Sequence, residues 1–398
     1  MSKTSRLFIF KHIIQILQNY NGSVPLHLFL KNYFKGNKNL GSNDRRGIRS
    51  SVYNFFRLTN VLGNISLEAK INVSDFLLSD NINQSTVDFL KEKFNFNELK
   101  SIDNEIYARA QKLKHIGINV DLANLFPFKN ELSEGVDRTQ LNNSILKQPY
   151  VWVRVRKDFL KQFIAEIETR NLTFELSDNE FSFSFNPSAN LTDLDCYKKG
   201  YFEIQDLSSQ QTINVLNNIK YEDVWWDCCA GSGGKSLLIK EKFPETRLII
   251  SDTRKSILEN AEARLKKAGA VNFSINECDL QKENPSFLKS KVDGIIADVP
   301  CSGSGTWART PEALTYFNKT KMEELAELQL QIINKAFECL KVGGLLLYIT
   351  CSVFKRENEG VINDFLKNSS ALVIEKKIIE GYTKGADTMF VCLLKKKS

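Results

Sequence analysis

Apolar residues recur at spacings of three and four through the first 145 or so residues, which predicts helices joined by short polar turns. One such apolar face consists of Ile48, Val52, Phe55 and Phe56. The predicted helices span residues 6–20, 25–34, 44–58, 85–94 and 104–115. We therefore expect an all-α region over residues 1–145.

The pattern changes to period two at Pro149, which indicates a half-buried strand. One face of this strand carries Val151, Val153 and Val155, and the other carries Trp152, Arg154 and Arg156. A helix over 158–170 and strands near 173–176 and 180–185 complete a small α/β module at residues 148–205. Two interpretations of Trp152, Arg154 and Arg156 stay open: contact with nucleotides, or the rim of a contact between domains.

Strand and helix patterns alternate after residue 222, which is typical of a doubly wound α/β domain with a parallel sheet. The candidate strands are 224–229, 248–251, 273–276, 294–299, 345–350, 371–378 and 388–394. We expect this domain to occupy residues 206–398.

Positive charge is concentrated at one end of the chain. The formal net charge is +7, but residues 1–50 alone carry +8, and this distribution excludes a generally basic, histone-like surface. Arg45, Arg46 and Arg49 line one side of the helix that begins near Asp44. This side is either a solvated basic face or an RNA-contacting face.

The cysteine and histidine positions predict no metal site. The eight Cys include no C-x-x-C pair, and the three His all lie far upstream of them. Lys11 and His12 interrupt the apolar stretch near the start, so we expect no signal peptide or membrane anchor. The expectation is a cytoplasmic protein with reduced thiols.

A glycine-rich loop follows the first strand of the α/β domain. Its sequence is Cys229-Ala230-Gly231-Ser232-Gly233-Gly234-Lys235, and it opens a helix. Backbone can approach a ligand closely where side chains are absent. Asp252 ends the second strand, where a carboxylate can accept hydrogen bonds from ribose hydroxyls, and Asp279 follows the third, where it could meet an adenine edge. These positions together predict a nucleotide-like ligand.

The charge around the loop favours a ligand without phosphate. Asp227 lies two residues before Cys229, the first residue of the loop, and its carboxylate would repel a pyrophosphate. S-adenosylmethionine (SAM) carries a ribose, an adenine, an amino group and a sulfonium. We therefore predict SAM as the cofactor.

Two cysteines follow neighbouring strands of the same domain. Cys301 lies in Asp298-Val299-Pro300-Cys301-Ser302-Gly303-Ser304-Gly305, and Cys351 lies in Thr350-Cys351-Ser352-Val353. Because reacting groups in such sheets sit beyond the carboxyl ends of strands, both thiols should face one cleft. A single Cys here would more often be a small buried apolar residue.

A cysteine thiolate beside a methyl donor can activate a pyrimidine ring for methylation. Carbon 5 of a pyrimidine becomes nucleophilic when sulfur adds to carbon 6, and an acid near ring nitrogen 3 stabilises the developing charge. Asp298 is placed for that acid. This chemistry predicts methylation of a pyrimidine carbon.

At these motifs the sequence resembles the RsmB and Nop2/NSUN family of RNA 5-methylcytosine methyltransferases, over roughly residues 148–398. The segments at 204–210, 229–235 and 298–305 and Tyr348 to Val353 with Glu357-Asn358 are similar to family motifs in the same order. Gly231 and Ser232 depart from the Ala-Pro usual in the family. Residues 44–58 resemble a NusB-like RNA-binding extension.

The resemblance implies a class I Rossmann-like SAM methyltransferase domain behind an RNA-binding module. It implies that Cys351 is the nucleophile, that Cys301 serves product release, and that Asp298 contacts both cofactor and base. It also places Lys235 in the cofactor pocket. The predicted RNA-binding residues are Arg45, Arg46, Arg49, Arg154, Arg156 and Arg309.

The predicted function is methylation of carbon 5 of a cytosine in small-subunit ribosomal RNA by a monomeric enzyme without membrane contact. Two alternatives stay open: a tRNA cytosine-5 methyltransferase, and a catalytically silent RNA-binding factor of ribosome assembly. The presence of both cysteines and Asp298 counts against the silent factor.

Overall fold

The computed structural model describes residues 3–96, 105–217, 220 and 222–398, with side chains from residue 7 onward. The first residue of the predicted helix 104–115 lies outside the described residues. The helices are α1 Lys3–Asn19, α2 Leu26–Gly36, α3 Ser42–Leu58, α4 Leu67–Leu78, α5 Gln84–Phe94, α6 Ile106–His115, α7 Arg138–Ile145, α8 Leu160–Thr169, α9 Asp195–Lys198, α10 Leu207–Gln211, α11 Gly234–Lys242, α12 Lys255–Lys267, α13 Pro311–Tyr316, α14 Lys319–Glu338 and α15 Val361–Lys367.

The strands are β1 Val151–Val155, β2 Phe174–Leu176, β3 Ser182–Phe185, β4 Phe202–Ile204, β5 Val224–Asp227, β6 Arg247–Asp252, β7 Phe273–Glu277, β8 Val292–Asp298, β9 Leu340–Thr350, β10 Ala371–Ile379 and β11 Met389–Lys396. The predicted α/β fold class, with its Rossmann-like sheet and helical N-terminal region, is confirmed.

The large sheet has seven strands in the order β10-β11-β9-β8-β5-β6-β7. The pairs from β9 through β7 are parallel, whereas β11 pairs antiparallel with both β9 and β10. The chain first adds strands on one side of β5 and then returns to add β8 on the other. Ligands in such sheets bind at this switch point, beyond the carboxyl ends of the strands. The segments after β5 and β8 therefore border the expected crevice.

The small sheet has the antiparallel order β2-β3-β1-β4. Phe163 and Ile167 of α8 pack on it and are fully buried. The prediction that β1 is half-buried is wrong, because its second face is also covered: Trp152 is 5% exposed and Arg154 is 7% exposed.

The chain divides into two compact units that interleave along the sequence. The helical unit contains Met1–Lys129, Arg138–Gln148 and Trp307–Phe317. The α/β unit contains Asn130–Asp137, Pro149–Thr306 and Asn318–Ser398, so the small sheet and the large sheet share one unit. These boundaries differ from the predicted domains 1–145, 148–205 and 206–398.

The helical unit is completed by the segment Trp307–Phe317. Arg57 of α3 is 4% exposed, and its Nη1 donates to the carbonyl oxygens of Ile145 at 2.6 Å and Ala308 at 2.7 Å. The backbone N–H of Leu26 donates to Glu312 Oε1 at 3.2 Å. Burial lowers the pKa of Arg57 to about 10. This buried arginine therefore joins three separate stretches of the unit.

The sequence prediction missed α4, which is surrounded by protein. Ile71, Val73 and Phe76 are each 1% exposed or less. A helix that is buried on most sides has no polar face and so gives little periodic signal. Among the described residues, no helix combines the length and the hydropathy needed to span a membrane.

Candidate active site

A cavity of about 670 Å³ lies at the carboxyl ends of the central strands of the large sheet. It is lined by nine of the ten residues predicted to bind the cofactor: Cys229, Ala230, Gly231, Ser232, Gly234, Lys235, Asp252, Asp279 and Asp298. Ile204, Gln205, Ser209, Arg254 and Arg264 also line it, and sequence reasoning gave none of them a role. The predicted residues therefore converge on one cavity, although they come from four separate segments.

The glycines of the cofactor loop, residues 228–234, have different tasks. Gly231 has φ +52°, its N–H donates to Asp252 Oδ2 at 2.9 Å, and a Cβ there would meet open space. Gly233 has φ +79°, and a Cβ there would lie 3.1 Å from the Ala261 Cβ. Gly233 is not among the residues that line the cavity, and its lack of a Cβ lets α11 approach α12.

Two of the carboxyl groups that line the cavity, those of Asp252 and Asp279, have different partners. Asp252 accepts from Gly231 and Arg254, and Asp279 forms an ion pair with Lys282 at 2.8 Å. The hydrogen bond from Lys282 lowers the pKa of Asp279.

Lys235 and Asp298 form a pair at 2.9 Å. The Lys235 Nζ also donates to Ser209 Oγ at 2.8 Å. Lys235 is 6% exposed, so its position is fixed by these two partners. The helix start at α11 and the end of β8 are thereby joined across the cavity.

Asp227 lies beneath the cofactor loop and is fully buried. Ser236 Oγ donates to its Oδ2 at 2.6 Å, and Oδ1 has no hydrogen-bond partner among the described residues. Burial raises the pKa of Asp227 to about 7. The sequence interpretation treated this residue as a negative charge beside the ligand, whereas its carboxyl lies below the loop and does not line the cavity.

Cys301 and Cys351 are adjacent. Their Sγ atoms lie 3.2 Å apart, and the N–H of Gly305 donates to the Cys351 carbonyl oxygen at 2.9 Å. The hydrogen bond with Cys351, together with burial, raises the pKa of Cys301 well above its usual value. Cys301 follows Pro300, which lines the cavity. The two thiols converge as predicted, and they lie next to the cavity through Pro300, although neither cysteine is among the residues that line it.

Glu357 holds the two cysteine loops, residues 299–306 and 351–355, from beneath. Its carboxyl accepts from Ser302 N at 2.8 Å, Ser302 Oγ at 2.5 Å, Ser352 Oγ at 2.5 Å and Gln329 Nε2 at 3.0 Å. Glu357 is fully buried. Sequence reasoning noted Glu357 only within a family motif, and the serines beside both cysteines were the available signal for its role.

Asn358 adds a second tie to the same network. Its Nδ2 donates to the Ser352 carbonyl oxygen at 2.9 Å, and its Oδ1 accepts from Thr350 Oγ1 at 2.6 Å. Asn358 is fully buried. The residues on either side of Cys351 are therefore held by one side chain, that of Asn358.

The interpretation of Arg154 and Arg156 as RNA-contacting residues is contradicted. Arg154 forms an ion pair with Glu241, and its Nε donates to Gln205 Oε1 at 3.0 Å. Arg156 pairs with Glu203 at 3.3 Å and with Glu241 at 3.2 Å. Their charges are neutralised within the protein, so the alternative interpretation, a contact between the small sheet and the large one, describes them.

The other predicted RNA-binding arginines belong to the helical unit. Arg46 and Arg49 are exposed, while Arg45 and Arg309 are partly buried. Arg45 Nε donates to the Leu40 carbonyl oxygen at 2.9 Å. The prediction of RNA contact therefore retains its best support at Arg46 and Arg49.

The cavity fits SAM. Its volume lies in the range of small-molecule sites, about 300–1,000 Å³. Asp252 and Asp279 supply acceptors for hydroxyl and amino groups, and Asp298 adds a third carboxylate. The open space beside Gly231 would be filled by any side chain there.

Residues 214–391 match the family model described as 16S rRNA methyltransferase RsmB/F. A relative from Photorhabdus laumondii, named Ribosomal RNA small subunit methyltransferase B, is 27% identical over 234 residues, which cover 58% of this chain and 54% of that protein. The chain thus spans about half the length of the curated relatives it matches.

Two solved structures are similar in fold. The crystal structure of PH0851 has a TM-score of 0.71 and 20% sequence identity, with 94% of this chain and 95% of that chain covered. NSun6 from Pyrococcus horikoshii with SFG has a TM-score of 0.59 and 19% identity, with 70% of this chain and 97% of that chain covered.

Proposed function

Since residues 214–391 make this chain a member of the RsmB/NSUN family of SAM-dependent methyltransferases, we propose that it methylates carbon 5 of a cytosine in RNA. The observation that carries the proposal is the pair of thiols, 3.2 Å apart, at the carboxyl ends of two neighbouring parallel strands. A fold that only bound SAM and RNA would have no use for this pair.

When bound, SAM supplies an electrophilic methyl group. Asp252, Asp279 and the glycine backbone of the cofactor loop would hold the nucleoside part of that molecule. Lys235 holds Asp298 at 2.9 Å, which directs one carboxylate oxygen of Asp298 and leaves the other for the base or the cofactor.

Cys351 acts on the cytosine. Its sulfur adds to carbon 6, which makes carbon 5 nucleophilic toward the methyl group. After the methyl group is in place, carbon 5 loses its proton to a water molecule, the electron pair of that bond restores the double bond between carbons 5 and 6, and Cys351 leaves carbon 6 as a thiolate.

Cys301 assists that last step. Its raised pKa keeps it as a thiol. A thiol 3.2 Å away can donate a hydrogen bond to the departing thiolate of Cys351 and so favour its release. The two cysteines therefore divide the work, one as nucleophile and one for release.

The proposed substrate is small-subunit ribosomal RNA, because the curated relatives are named for it. A tRNA substrate is the alternative. Arg46 and Arg49 are the proposed phosphate contacts.

The decisive experiment is a search for a covalent protein–RNA adduct. Cys301→Ala protein is incubated with SAM and 16S rRNA or bulk tRNA, then denatured and separated by electrophoresis. We expect an adduct in Cys301→Ala that is absent from the Cys301→Ala/Cys351→Ala protein. Absence of an adduct from both proteins with both RNAs, while SAM binds, would overturn the assigned roles.

The RNA partner is tested through salt dependence. Arg46→Ala/Arg49→Ala should lower the slope of log K against log salt by roughly 1–2, because each lost phosphate contact lowers it by about 0.7–0.9. SAM affinity should stay unchanged, and Lys266→Ala serves as a control for an exposed cation of the α/β unit. An unchanged slope would mean that these arginines form only a solvated face.

A further inference from the structure

We propose that Arg264 is a positioning residue for SAM, and that it acts by tying the cofactor loop to the small sheet. The inference rests on the proposed cofactor site and adds a determinant of its affinity. It gives the small sheet a part in holding the cofactor.

One guanidinium nitrogen of Arg264 donates two hydrogen bonds to the cofactor loop. Arg264 Nη1 donates to the Ser232 carbonyl oxygen at 2.8 Å and to Ser232 Oγ at 2.8 Å. Both residues line the cavity. Arg264 therefore fixes the backbone and the side chain of the residue at the tip of the loop.

The other edge of the guanidinium is anchored to the small sheet. Arg264 Nη2 and Nε contact Glu203 Oε2 at 2.9 Å and 3.3 Å. Glu203 lies in β4, is 7% exposed and pairs with Arg156 through its other oxygen. A guanidinium held at one edge can orient its other edge precisely.

A second tie reaches the far end of the same loop. Gln205, which directly follows β4, donates from Nε2 to the Gly234 carbonyl oxygen at 3.2 Å. Its Oε1 accepts from Arg154 Nε at 3.0 Å. The small sheet therefore holds the glycine segment at two points, at Ser232 through Arg264 and at Gly234 through Gln205.

These two ties compensate for the high glycine content of the loop. Three of the four residues at 231–234 are glycines, and glycine has the largest conformational freedom in an untethered chain. A loop that must be ordered when the ligand binds reduces affinity, whereas a loop ordered beforehand does not. The two ties supply this order in a segment without proline.

The test measures SAM binding to the full chain by calorimetry, without RNA. We expect Arg264→Ala to raise the Kd about tenfold, Ser232→Ala about threefold and Glu203→Gln about threefold. Arg264→Lys should recover part of the loss, because an ammonium can still reach one acceptor. Lys266→Ala, on the same helix, is the matched control and should leave the Kd unchanged.

Two readouts separate positioning from a general loss of structure. In the Arg264→Ala background, Ser232→Ala should cost nothing further, because the two residues act as one unit. Amide exchange of free Arg264→Ala protein should accelerate over residues 229–235, while β5 and β6 keep their protection.

Each outcome decides between the alternatives. A Kd for Arg264→Ala within twofold of the wild type, or equal costs of Ser232→Ala in both backgrounds, would overturn the inference while SAM binding by the wild type still supports the proposed function. A wild type that binds no SAM would overturn both. If Arg264→Ala does not fold, Glu203→Gln and Ser232→Ala decide, since they leave Arg264 in place.

Discussion

The cysteine loops and the cofactor loop leave the same edge of one sheet, but they are held in different ways. Beneath the cysteine loops, the fully buried Glu357 carboxyl accepts four hydrogen bonds. The cofactor loop is instead held at its rim by Arg264, whose side chain is 28% exposed, and it turns on glycines.

This difference matches what each loop must do. The sulfur atoms need a fixed spacing for addition and release, and hydrogen bonds to one buried carboxylate provide it. The cofactor must enter and leave at every turnover, and its loop is ordered by ties at the rim that do not pass through the Glu357 network. The two kinds of support should therefore be separable by substitution.

The largest effect is expected at Glu357. Glu357→Ala removes the acceptor of four hydrogen bonds, and each buried donor that finds no other acceptor costs about 1–3 kcal/mol. We expect methyl transfer to fall at least about 100-fold, equivalent to about 2.7 kcal/mol in the barrier. SAM affinity should change less than twofold, since no contact of Glu357 reaches the cofactor loop residues described here.

Glu359→Gln is the matched control for Glu357. It lies two residues away and is also buried, but its carboxyl accepts from the backbone N–H of Glu134. Methylation assays and calorimetry on both variants check the comparison. An equal loss of activity in both, or a parallel loss of SAM binding in Glu357→Ala, would contradict the separation of the two loops.

The next effect concerns pH and the buried Asp227. Its pKa of about 7 lies above the ordinary value of 3.8, so the unfolded chain gives up this proton at lower pH than the folded protein does. Folding stability is therefore lost as pH rises from about 4 to 7, and it levels off above 7. Asp227→Asn removes this dependence.

The measurement is urea unfolding of the wild type and Asp227→Asn at pH 5 and pH 8. We expect the stability of Asp227→Asn relative to the wild type to increase by about 2–3 kcal/mol between these pH values. A difference that is the same at both pH values would show that the buried carboxyl titrates normally.

The smallest effect separates Gly231 from Gly233 in the cofactor loop. Gly231→Ala adds a Cβ in open space, so it should cost only the strain of a positive φ, about 1–2 kcal/mol. Gly233→Ala adds the same strain and a contact at 3.1 Å with Ala261, so it should cost more. Denaturation midpoints give the order, and equal midpoints would remove the assigned packing role of Gly233.

Local patterns in the sequence predicted the large sheet and the convergence of the thiols, because parallel strands place their carboxyl ends at one edge. Nine of the ten residues predicted to bind the cofactor line the cavity that this rule places there. Gly233 does not line it, and the sequence cannot distinguish a glycine needed for helix packing from a glycine needed beside a ligand.

The ion-pair partners of the arginines were the main features that could not be predicted from the sequence. Arg154 and Arg156 alternate with valines as solvent-facing residues would, yet Glu203 and Glu241 neutralise them. Glu241 is more than 80 residues away in the chain, and no local pattern connects it to β1. Arg264 was missed for the same reason, because its partners lie in β4 and in the cofactor loop.

The interleaving of the two units has a consequence during synthesis. The helical unit takes its last segment, Trp307–Phe317, from between β8 and β9. The carbonyl of Ala308 and the carboxyl of Glu312 therefore become available to Arg57 and Leu26 only after most of the α/β unit has been translated. At about 5–20 residues per second, that delay after residue 148 is on the order of ten to thirty seconds. Although it begins the chain, the helical unit must finish folding late, because Arg57 lacks one of its two acceptors until the ribosome has passed Ala308.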